Sequence, residues 1–354
     1  MTDNKKYFTH QLLRWNKTVN DRPMPWKGEK DPYKIWLSEI ILQQTRVEQG
    51  WNYYDRFVAA FPTVQHLAKA SETKIFKLWE GLGYYTRCKN LIVTAKFIAG
   101  ERKGKFPDKY EDILALKGIG PYTASAIASF AFNLPHAVVD GNVFRVLSRF
   151  FGIDTAIDST SGKKIFTALA NELLDTKAPG IYNQALMDFG AVVCKPKLPL
   201  CDGCPLKTKC RAYLNGSINQ LPVKEKSIIN KPRWFYYLVA EHNGKVYVRK
   251  RGKNDIWENL YEFILIETAA ALTPDELKRH TAVKKIIGRK GSGIINISKH
   301  YSQQLTHQTI EGQFIRVKIT EPLASATYRP VSARSLSTLP FPRFITRYLS
   351  ENPE

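Results

Sequence analysis

The chain is poor in acidic residues and lacks a long apolar run. Its 354 residues include 53 lysines and arginines against 32 aspartates and glutamates, which gives a formal net charge of +21. So large a positive excess predicts a polyanionic partner, with nucleic acid as the first candidate and an acidic membrane surface as the second. The most apolar stretch, residues 124–139, is interrupted by serine, asparagine, proline and histidine. Because a spanning helix needs about 20 mostly apolar residues, we expect no transmembrane segment.

Cysteine is also scarce, and four of the five cysteines lie close together. No apolar signal segment opens the sequence, so we expect a reducing, cytoplasmic location. Clustered cysteines in such a compartment are more typical of metal ligands than of disulfides. The spacing C-x6-C-x2-C-x5-C fits one zinc ion or a compact inorganic cluster, and it leaves both open. The four candidate ligands are Cys194, Cys201, Cys204 and Cys210.

The pattern of the chain changes once along its length. Residues 5–215 are predicted to form one helix after another, with glycine and proline in the gaps, which indicates a helical first domain over 1–215. The segment 216–232 is polar and without periodicity, which indicates a linker. Residues 233–354 mix strand and helix signals, so we expect a second domain of the α+β class.

Two local motifs support the α+β prediction for the second domain. Two β-rich runs flank Asn243 and Gly244, a pair typical of a tight β-hairpin. Thr273 and Glu276 form a capping-box pattern, which predicts a helix that continues to about residue 287.

A glycine-rich turn in the helical part predicts an anion site. Leu116 is followed by Lys, Gly118, Ile, Gly120 and Pro121, so one helix ends, the chain turns tightly and the next helix begins. The N–H groups at a helix start are unpaired and attract phosphate. Such a helix-hairpin-helix grips a DNA backbone without reading its sequence.

Two carboxylates have surroundings that differ in character. Glu39 lies among leucines and isoleucines, and burial there would raise its pKa enough for it to act as an acid near neutral pH. Asp140 follows an apolar run just before a helix, where a cap keeps a carboxylate ionised. An acid and an anion at one site suit cleavage of a sugar–nitrogen bond through an oxocarbenium-like state.

These motifs in this order resemble the endonuclease III superfamily of base-excision DNA glycosylases. Within it the chain is similar to the adenine glycosylases of the MutY family, through WLSEIILQQT at 36–45, GLGYY at 81–85 and VVDGNV at 138–143. The resemblance implies an all-α helix-hairpin-helix glycosylase domain. It also implies that the four cysteines hold a [4Fe–4S] cluster rather than zinc.

The residue after Pro121 separates two branches of that superfamily. Bifunctional members carry a lysine whose amine attacks the sugar and cleaves the strand, whereas this chain has Tyr122 there. A phenol cannot form a Schiff base. We therefore expect a monofunctional glycosylase.

The resemblance also assigns roles within the site. Glu39 would protonate adenine N7 and activate water, and Asp140 would stabilise the sugar cation or trap it transiently. Asn142 would hydrogen-bond near Glu39 and the sugar, and the Tyr122 hydroxyl would help line the adenine pocket and steady Asp140. Gln44 and Tyr84 would fill or wedge the opened duplex. The extruded adenine would lie among Arg22, Trp26, Leu42, Gln184 and Met187.

Residues 233–354 resemble the Nudix-like domain that MutY enzymes carry, through DIWENLYEF at 255–263. No stretch supplies the acidic box that Nudix hydrolases need for Mg²⁺, so we expect this domain to lack catalysis. In the family it inspects the base opposite adenine for 8-oxoguanine. The matching loop here is Leu305, Thr306 and His307.

Taken together, the resemblance predicts an enzyme of base excision repair. It would remove adenine mispaired with 8-oxoguanine or guanine, acting as a monomer that clamps double-stranded DNA between two domains. The alternatives are a bifunctional endonuclease III-type glycosylase and a non-enzymatic iron–sulfur DNA-binding protein.

Overall fold

The computed structural model describes residues 2–24, 27–225, 230–287 and 291–352. The chain divides into two compact units, Met1–Lys69 with Lys89–Lys226 and Ala70–Cys88 with Ser227–Glu354. The first is helical and the second contains a mixed β-sheet with helices, which confirms the two predicted fold classes. Over the described ranges, no helix is long and apolar enough to cross a membrane.

Helices form nearly all the regular structure up to Leu214. The second helix shows how local chemistry sets a helix start: Asp31 accepts a hydrogen bond from the Tyr33 amide, and Pro32 occupies the first helical position. The helices are α1 Thr2–Thr18, α2 Pro32–Leu42, α3 Val47–Ala60, α4 Val64–Lys69, α5 Glu72–Trp79, α6 Tyr85–Gly100, α7 Tyr110–Leu114, α8 Pro121–Phe132, α9 Gly141–Phe151, α10 Thr160–Leu173, α11 Pro179–Val192 and α12 Arg211–Leu214.

One hydrophobic core of the first unit joins α1, α9 and α11. Phe8 of α1 packs against Phe150 of α9 with ring centroids 4.9 Å apart. Trp15 meets Phe189 of α11 edge-on at 5.0 Å. Gly190 lets α11 approach the start of α9, because a Cβ atom there would lie only 2.6 Å from the Cβ of Asn142.

The second unit contains an eight-stranded mixed sheet in its described residues. Its central pair, β1 and β7, is parallel, and the remaining pairs are antiparallel. The predicted hairpin at Asn243 and Gly244 is confirmed, with both residues at positive φ between β1 and β2. The strands are β1 Lys231–His242, β2 Lys245–Lys250, β3 Tyr261–Glu262, β4 Ile264–Thr268, β5 Gly293–Ile297, β6 Tyr301–Gln304, β7 Gln308–Lys318 and β8 Arg329–Ser332.

Helices accompany this sheet: α13 Pro274–Arg279, α14 Thr281–Ile287, α15 Ala333–Leu336 and α16 Arg343–Glu351. The capping box at Thr273 forms, with Glu276 as its partner. The single helix predicted to run on to residue 287 is wrong, because His280 leaves helical geometry (ψ 136°) and separates α13 from α14.

Strand β1 is buried on both faces, as expected for the centre of a sheet covered on both sides. On one face Leu238 shares a core with Leu277 of α13 and Val283 of α14. On the other, Tyr237 stacks on Phe314 at 5.5 Å and also meets Phe344 of α16.

Residues 70–88 group with the second unit, which the sequence did not indicate. Lys77 Nζ donates to the Leu339 carbonyl at 3.1 Å, and the Phe341 amide donates to Glu80 Oε2 at 2.8 Å. The Tyr84 hydroxyl hydrogen-bonds that of Thr306 at 2.9 Å. These contacts attach α5 and the loop after it to the C-terminal part of the chain.

Candidate active site and nucleic-acid interface

Glu39 is a buried carboxyl on α2, with only 5% of its surface exposed. Its Oε2 atom is buried without a hydrogen-bond partner. Burial raises the pKa of Glu39 to about 7; the Tyr122 hydroxyl opposes part of that shift, and the negative charge of Asp140 adds to it. The predicted buried acid is therefore present, and it lies close enough to Asp140 for the two charges to interact.

Asp140 caps α9 as predicted. Its Oδ1 accepts from the Val143 amide at 2.8 Å, and its Oδ2 accepts from Asn142 Nδ2 at 2.7 Å. Burial nevertheless raises the pKa of Asp140, although these hydrogen bonds and the charge of Arg145 favour the anion. This differs from the expectation that the two pKa values would move apart, because desolvation acts on both carboxyls.

Arg145 connects Asn142 to the cysteine loop, a role that sequence reasoning missed. Its Nη2 donates to Asn142 Oδ1 at 2.8 Å and to the Gly190 carbonyl at 2.7 Å, and its Nε donates to the Cys194 carbonyl at 2.7 Å. The side-chain amide of Asn142 is paired with Asp140 and Arg145, and its predicted role near Glu39 and the sugar stays a prediction. The signal available in the sequence was an arginine one helical turn after Asn142.

Tyr122 follows Pro121 at the start of α8. Its hydroxyl donates to Met187 Sδ at 3.9 Å and interacts with Glu39, and burial raises the pKa of the phenol well above its usual value. The described hydrogen bonds of Asp140 come from the backbone and Asn142, so Tyr122 does not steady Asp140 by a direct hydrogen bond.

A cavity of about 230 Å³ reaches Glu39 and Gln184. Gln184 Nε2 donates to Asp188 Oδ1 at 2.9 Å, and Arg22 Nη1 donates to the same oxygen at 2.8 Å. Asp188 is fully buried and was not singled out from the sequence. Trp26, predicted for the same pocket, lies outside the described residues.

Three other predicted pocket residues are not among the described residues that line this cavity: Arg22, Leu42 and Met187. Leu42 is the last residue of α2, and Met187 is buried on α11. Both belong to the helices that carry Glu39 and Gln184.

The predicted hairpin joins α7 to α8. Gly118 has φ +80°, and a Cβ atom there would lie 2.5 Å from the Cβ of Asn90. Thr94 donates to the Lys117 carbonyl at 2.8 Å and so ties the turn to α6. Gly120 is the N-cap residue of α8 and has no side chain to pair the first amides, which leaves the helix start open to an anion.

Gln44 and Tyr84 share an unusual backbone conformation. Their φ angles are +59° and +48°, values that cost energy for residues other than glycine and that concentrate at functional loops. Gln44 is exposed, and Tyr84 keeps 49% of its surface in solvent. The Tyr84 hydroxyl bonds that of Thr306 at 2.9 Å, in the turn between β6 and β7 that also holds Leu305 and His307.

All four thiols of the cysteine loop line one cavity. Arg149 Nη1 donates to Cys194 Sγ at 3.5 Å and to the Lys195 carbonyl at 2.8 Å. Within the part of the chain that the structure describes, no three His, Cys, Asp or Glu side chains form a group that could hold a metal ion.

Comparisons with known proteins agree with this geometry. The family model described as HhH-GPD superfamily base excision DNA repair protein matches residues 37–172, and a NUDIX domain model matches residues 235–351. An adenine DNA glycosylase of Buchnera aphidicola (subsp. Baizongia pistaciae) is 35% identical over 305 residues, which cover 86% of this chain and 84% of that protein. The Homo sapiens adenine DNA glycosylase is 41% identical over 60% of this chain and 41% of its own length.

Solved structures resemble the helical part. A thermostable thymine-DNA glycosylase is 29% identical with a TM-score of 0.56, covering 60% of this chain and 98% of that one. An endonuclease III in complex with DNA has a TM-score of 0.52 at 17% identity, covers 61% of this chain and 98% of that one, and supports the fold alone.

The helix-hairpin-helix and the matches to the family model and to the adenine DNA glycosylases define a DNA glycosylase of base excision repair, an enzyme acting on N-glycosyl bonds with DNA as its partner. Within that class, the chain belongs to the adenine DNA glycosylase family, whose members at 33–41% identity include the Buchnera and human proteins.

The pKa shift of Glu39 predicts how stability depends on pH. The folded chain keeps a proton on Glu39 up to about pH 7, whereas an unfolded glutamate releases it near 4.5. Stability contributed by this proton is therefore lost as the pH rises between those values. Glu39→Gln removes this pH-dependent loss of stability. The Tm of the variant minus the Tm of wild type should therefore rise between pH 4.5 and pH 7 and then level off. Glu48→Gln, at an exposed position of α3, is the control; parallel curves for both variants would contradict the burial argument.

Proposed function

We propose that this chain hydrolyses the N-glycosidic bond of adenine mispaired with 8-oxoguanine or guanine, and that it does so without cleaving the strand. The observation that carries the proposal is the buried carboxyl of Glu39, with its raised pKa, beside the capped Asp140. Family membership and the strongly basic composition support the substrate class.

In the first step, Glu39 donates its proton to adenine N7. A pKa of about 7 leaves much of the carboxyl protonated at neutral pH, so the acid is available without a prior proton transfer. Protonation draws electrons from the bond between N9 and C1′ of the sugar. That bond breaks, the electron pair stays on the base, and the sugar becomes an oxocarbenium-like cation.

In the second step, Asp140 stabilises this cation. The Val143 amide and Asn142 hold the carboxylate in place, and Arg145 favours its charged form. Water then adds to C1′ while Glu39, now a carboxylate, takes the released proton. The products are free adenine and an abasic sugar, and Glu39 is again protonated for the next cycle.

Tyr122 accounts for the absence of a lyase step in this proposal. Its phenol has no amine to attack C1′, so the strand stays intact. Its hydroxyl instead interacts with Glu39 at the base side of the site.

The extruded adenine is proposed to lie among Arg22, Trp26, Leu42, Gln184 and Met187. The Gln184 amide donates to Asp188, which leaves its carbonyl oxygen to accept from the amino group of adenine. Extrusion costs a few kcal/mol of lost stacking and pairing. Burial of a flat base against apolar and polar walls offsets that cost.

Contacts to the duplex come from separate elements. The turn that holds Gly118 and Gly120 is proposed to bind a backbone phosphate together with the N–H groups in the first turn of α8. Gln44 and Tyr84 would enter the opened helix, which the exposure and strained backbone of both residues support.

Thr306 and His307 are proposed to inspect the opposite base for 8-oxoguanine, with Leu305 packing beside them. The hydrogen bond between the hydroxyls of Tyr84 and Thr306 supports a joint role for these residues, because it fixes one hydroxyl relative to the other before any base is present.

Cys194, Cys201, Cys204 and Cys210 are proposed to hold a [4Fe–4S] cluster, the cofactor that enzymes of this superfamily generally carry. The residues fit a cluster better than a single ion. All four cysteines line one cavity, but no three described side chains are grouped closely enough to hold one metal ion, and a cluster takes its thiolates farther apart than one ion does. The Arg149 guanidinium lies against Cys194 Sγ. The bound cluster would supply a cross-link that shapes the loop, and no step of hydrolysis passes through it.

We further propose a glycosylase domain over 1–215, a linker over 216–232 and a recognition domain over 233–354. The linker includes residues 226–229, which lie outside the described ranges. Monomeric action and a cytoplasmic location are kept as predictions of the sequence.

Excision without strand cleavage is the main test of function. On a duplex with one 8-oxoguanine·adenine pair, strand breaks should appear only after hot alkali, since abasic sites are alkali-labile and Tyr122 cannot act as a lyase. Glu39→Gln should lower the single-turnover rate by about 10²–10⁴-fold while gel-shift affinity is retained, and Glu48→Gln should match wild type. Breaks without alkali would favour the bifunctional alternative, and absence of excision in wild type would favour a non-enzymatic DNA-binding protein.

The hydrogen bond between Tyr84 and Thr306 predicts coupled effects on base discrimination. Tyr84→Phe and Thr306→Val should each reduce the rate preference for 8-oxoguanine·adenine over guanine·adenine by roughly fivefold, because one hydrogen bond is worth about 1 kcal/mol. The double variant should lose no more than either single variant. Independent, multiplying losses would show that the two hydroxyls act separately.

Metal analysis tests the cofactor. The purified protein should contain about four irons with matching acid-labile sulfide and absorb broadly in the visible region. Cys204→Ser should lose most of this iron, while Cys88→Ala, at a buried cysteine outside the loop, should retain it. One zinc ion per chain with no sulfide would replace the cluster proposal with a zinc site.

A further inference from the structure

The cavity at Glu39 extends well beyond the residues assigned to the base. Its inner end lies at buried Glu39 and at Ile35, which is 3% exposed. Its outer end is lined by the exposed Lys30 and by Ile181, which is 59% exposed. The cavity therefore runs from the catalytic carboxyl to solvent.

The residues proposed to act on the sugar side of the site do not line this cavity. Among the described residues, Tyr122, Asp140 and Asn142 do not line the cavity. When a nucleotide occupies the site, its sugar and backbone fill the approach next to Asp140. A base cleaved at Glu39 can then still move into the cavity, because the cavity begins at the carboxyl that is proposed to protonate the base.

The size and walls of the cavity suit a free purine. A cavity of about 150 Å³ can bind benzene, so about 230 Å³ accepts a larger, flat bicyclic base. Ile35, Phe130 and Ile181 supply apolar surface for its faces, and Gln184 supplies a polar group at the inner end. The unpaired Oε2 of Glu39 is the polar atom left at that end.

We propose that this cavity is an exit passage through which the cleaved base leaves while the abasic strand is still bound. The inference rests on the proposed function and concerns the order of product release. Early departure of the base prevents the glycosidic bond from re-forming on the enzyme, since no base then remains beside C1′ of the sugar.

Ile181→Trp tests the passage, because the larger ring would narrow the outer end at an exposed position that tolerates substitution. A duplex with tritium-labelled adenine opposite 8-oxoguanine is incubated with excess enzyme at low salt, where phosphate contacts slow DNA release. Alkali quenching measures excision, filtration measures free base, and gel shift measures bound product. Ile165→Trp, at a similarly exposed isoleucine of α10 outside the cavity, is the matched control.

Wild type and Ile165→Trp should release labelled base at the rate of excision, well before the DNA. Ile181→Trp should keep its excision rate within about twofold and release base at least tenfold more slowly, while Ile181→Ala should release it as fast as wild type. The exit passage would be contradicted if wild type released the base only together with the DNA, or if Ile181→Trp released the base as fast as wild type. Absence of excision in wild type would instead overturn the proposed function.

Discussion

The removal of the Glu39 carboxyl from water is the constraint on which the site depends. In solvent this group would be ionised at neutral pH and could not donate a proton. Burial in α2, next to the charge of Asp140, raises its pKa to about 7. The cost is an oxygen atom buried without a partner, which is unfavourable for folding and is the kind of compromise found at functional sites.

Asp140 is also desolvated, but unlike Glu39 it has hydrogen-bond donors for both carboxylate oxygens. Its carboxylate accepts hydrogen bonds from the Val143 amide and from the Asn142 side chain. It also lies at a helix start, which favours a negative charge. Burial therefore raises both pKa values, yet only Glu39 keeps an oxygen without a donor. The difference in function proposed for the two carboxyls follows from the hydrogen bonds each receives rather than from their exposure.

Arg145 joins α9 to the cysteine loop through one guanidinium. It contacts Asn142, Gly190 and the Cys194 carbonyl, so the position of the loop and that of the Asp140 cap are mechanically linked. A buried guanidinium with this many partners is costly to disturb, because any lost partner leaves a charge without compensation. The cysteine loop thus supports the position of the Asp140 cap.

Local rules explain which parts of the molecule could be predicted. Gly118, Asn243 and Thr273 specify a turn, a hairpin and a cap within a few residues, and each formed as expected. The break at His280 was missed because nothing in the local pattern marks it. Asp188 was missed because its charged partner Arg22 comes from a distant part of the sequence, although Gln184 lies only one helical turn away.

The sequence alone determined the two fold classes, the family and the residue types of the chemistry, because periodicity, turn residues and motif spacing are local properties. Only the tertiary structure decided the pKa of Glu39, the Arg145 connection, the contact of Tyr84 with Thr306 and the cavity behind the acid. Desolvation and cavities exist only once distant segments pack together, and no short stretch of sequence records which atoms that packing leaves without water.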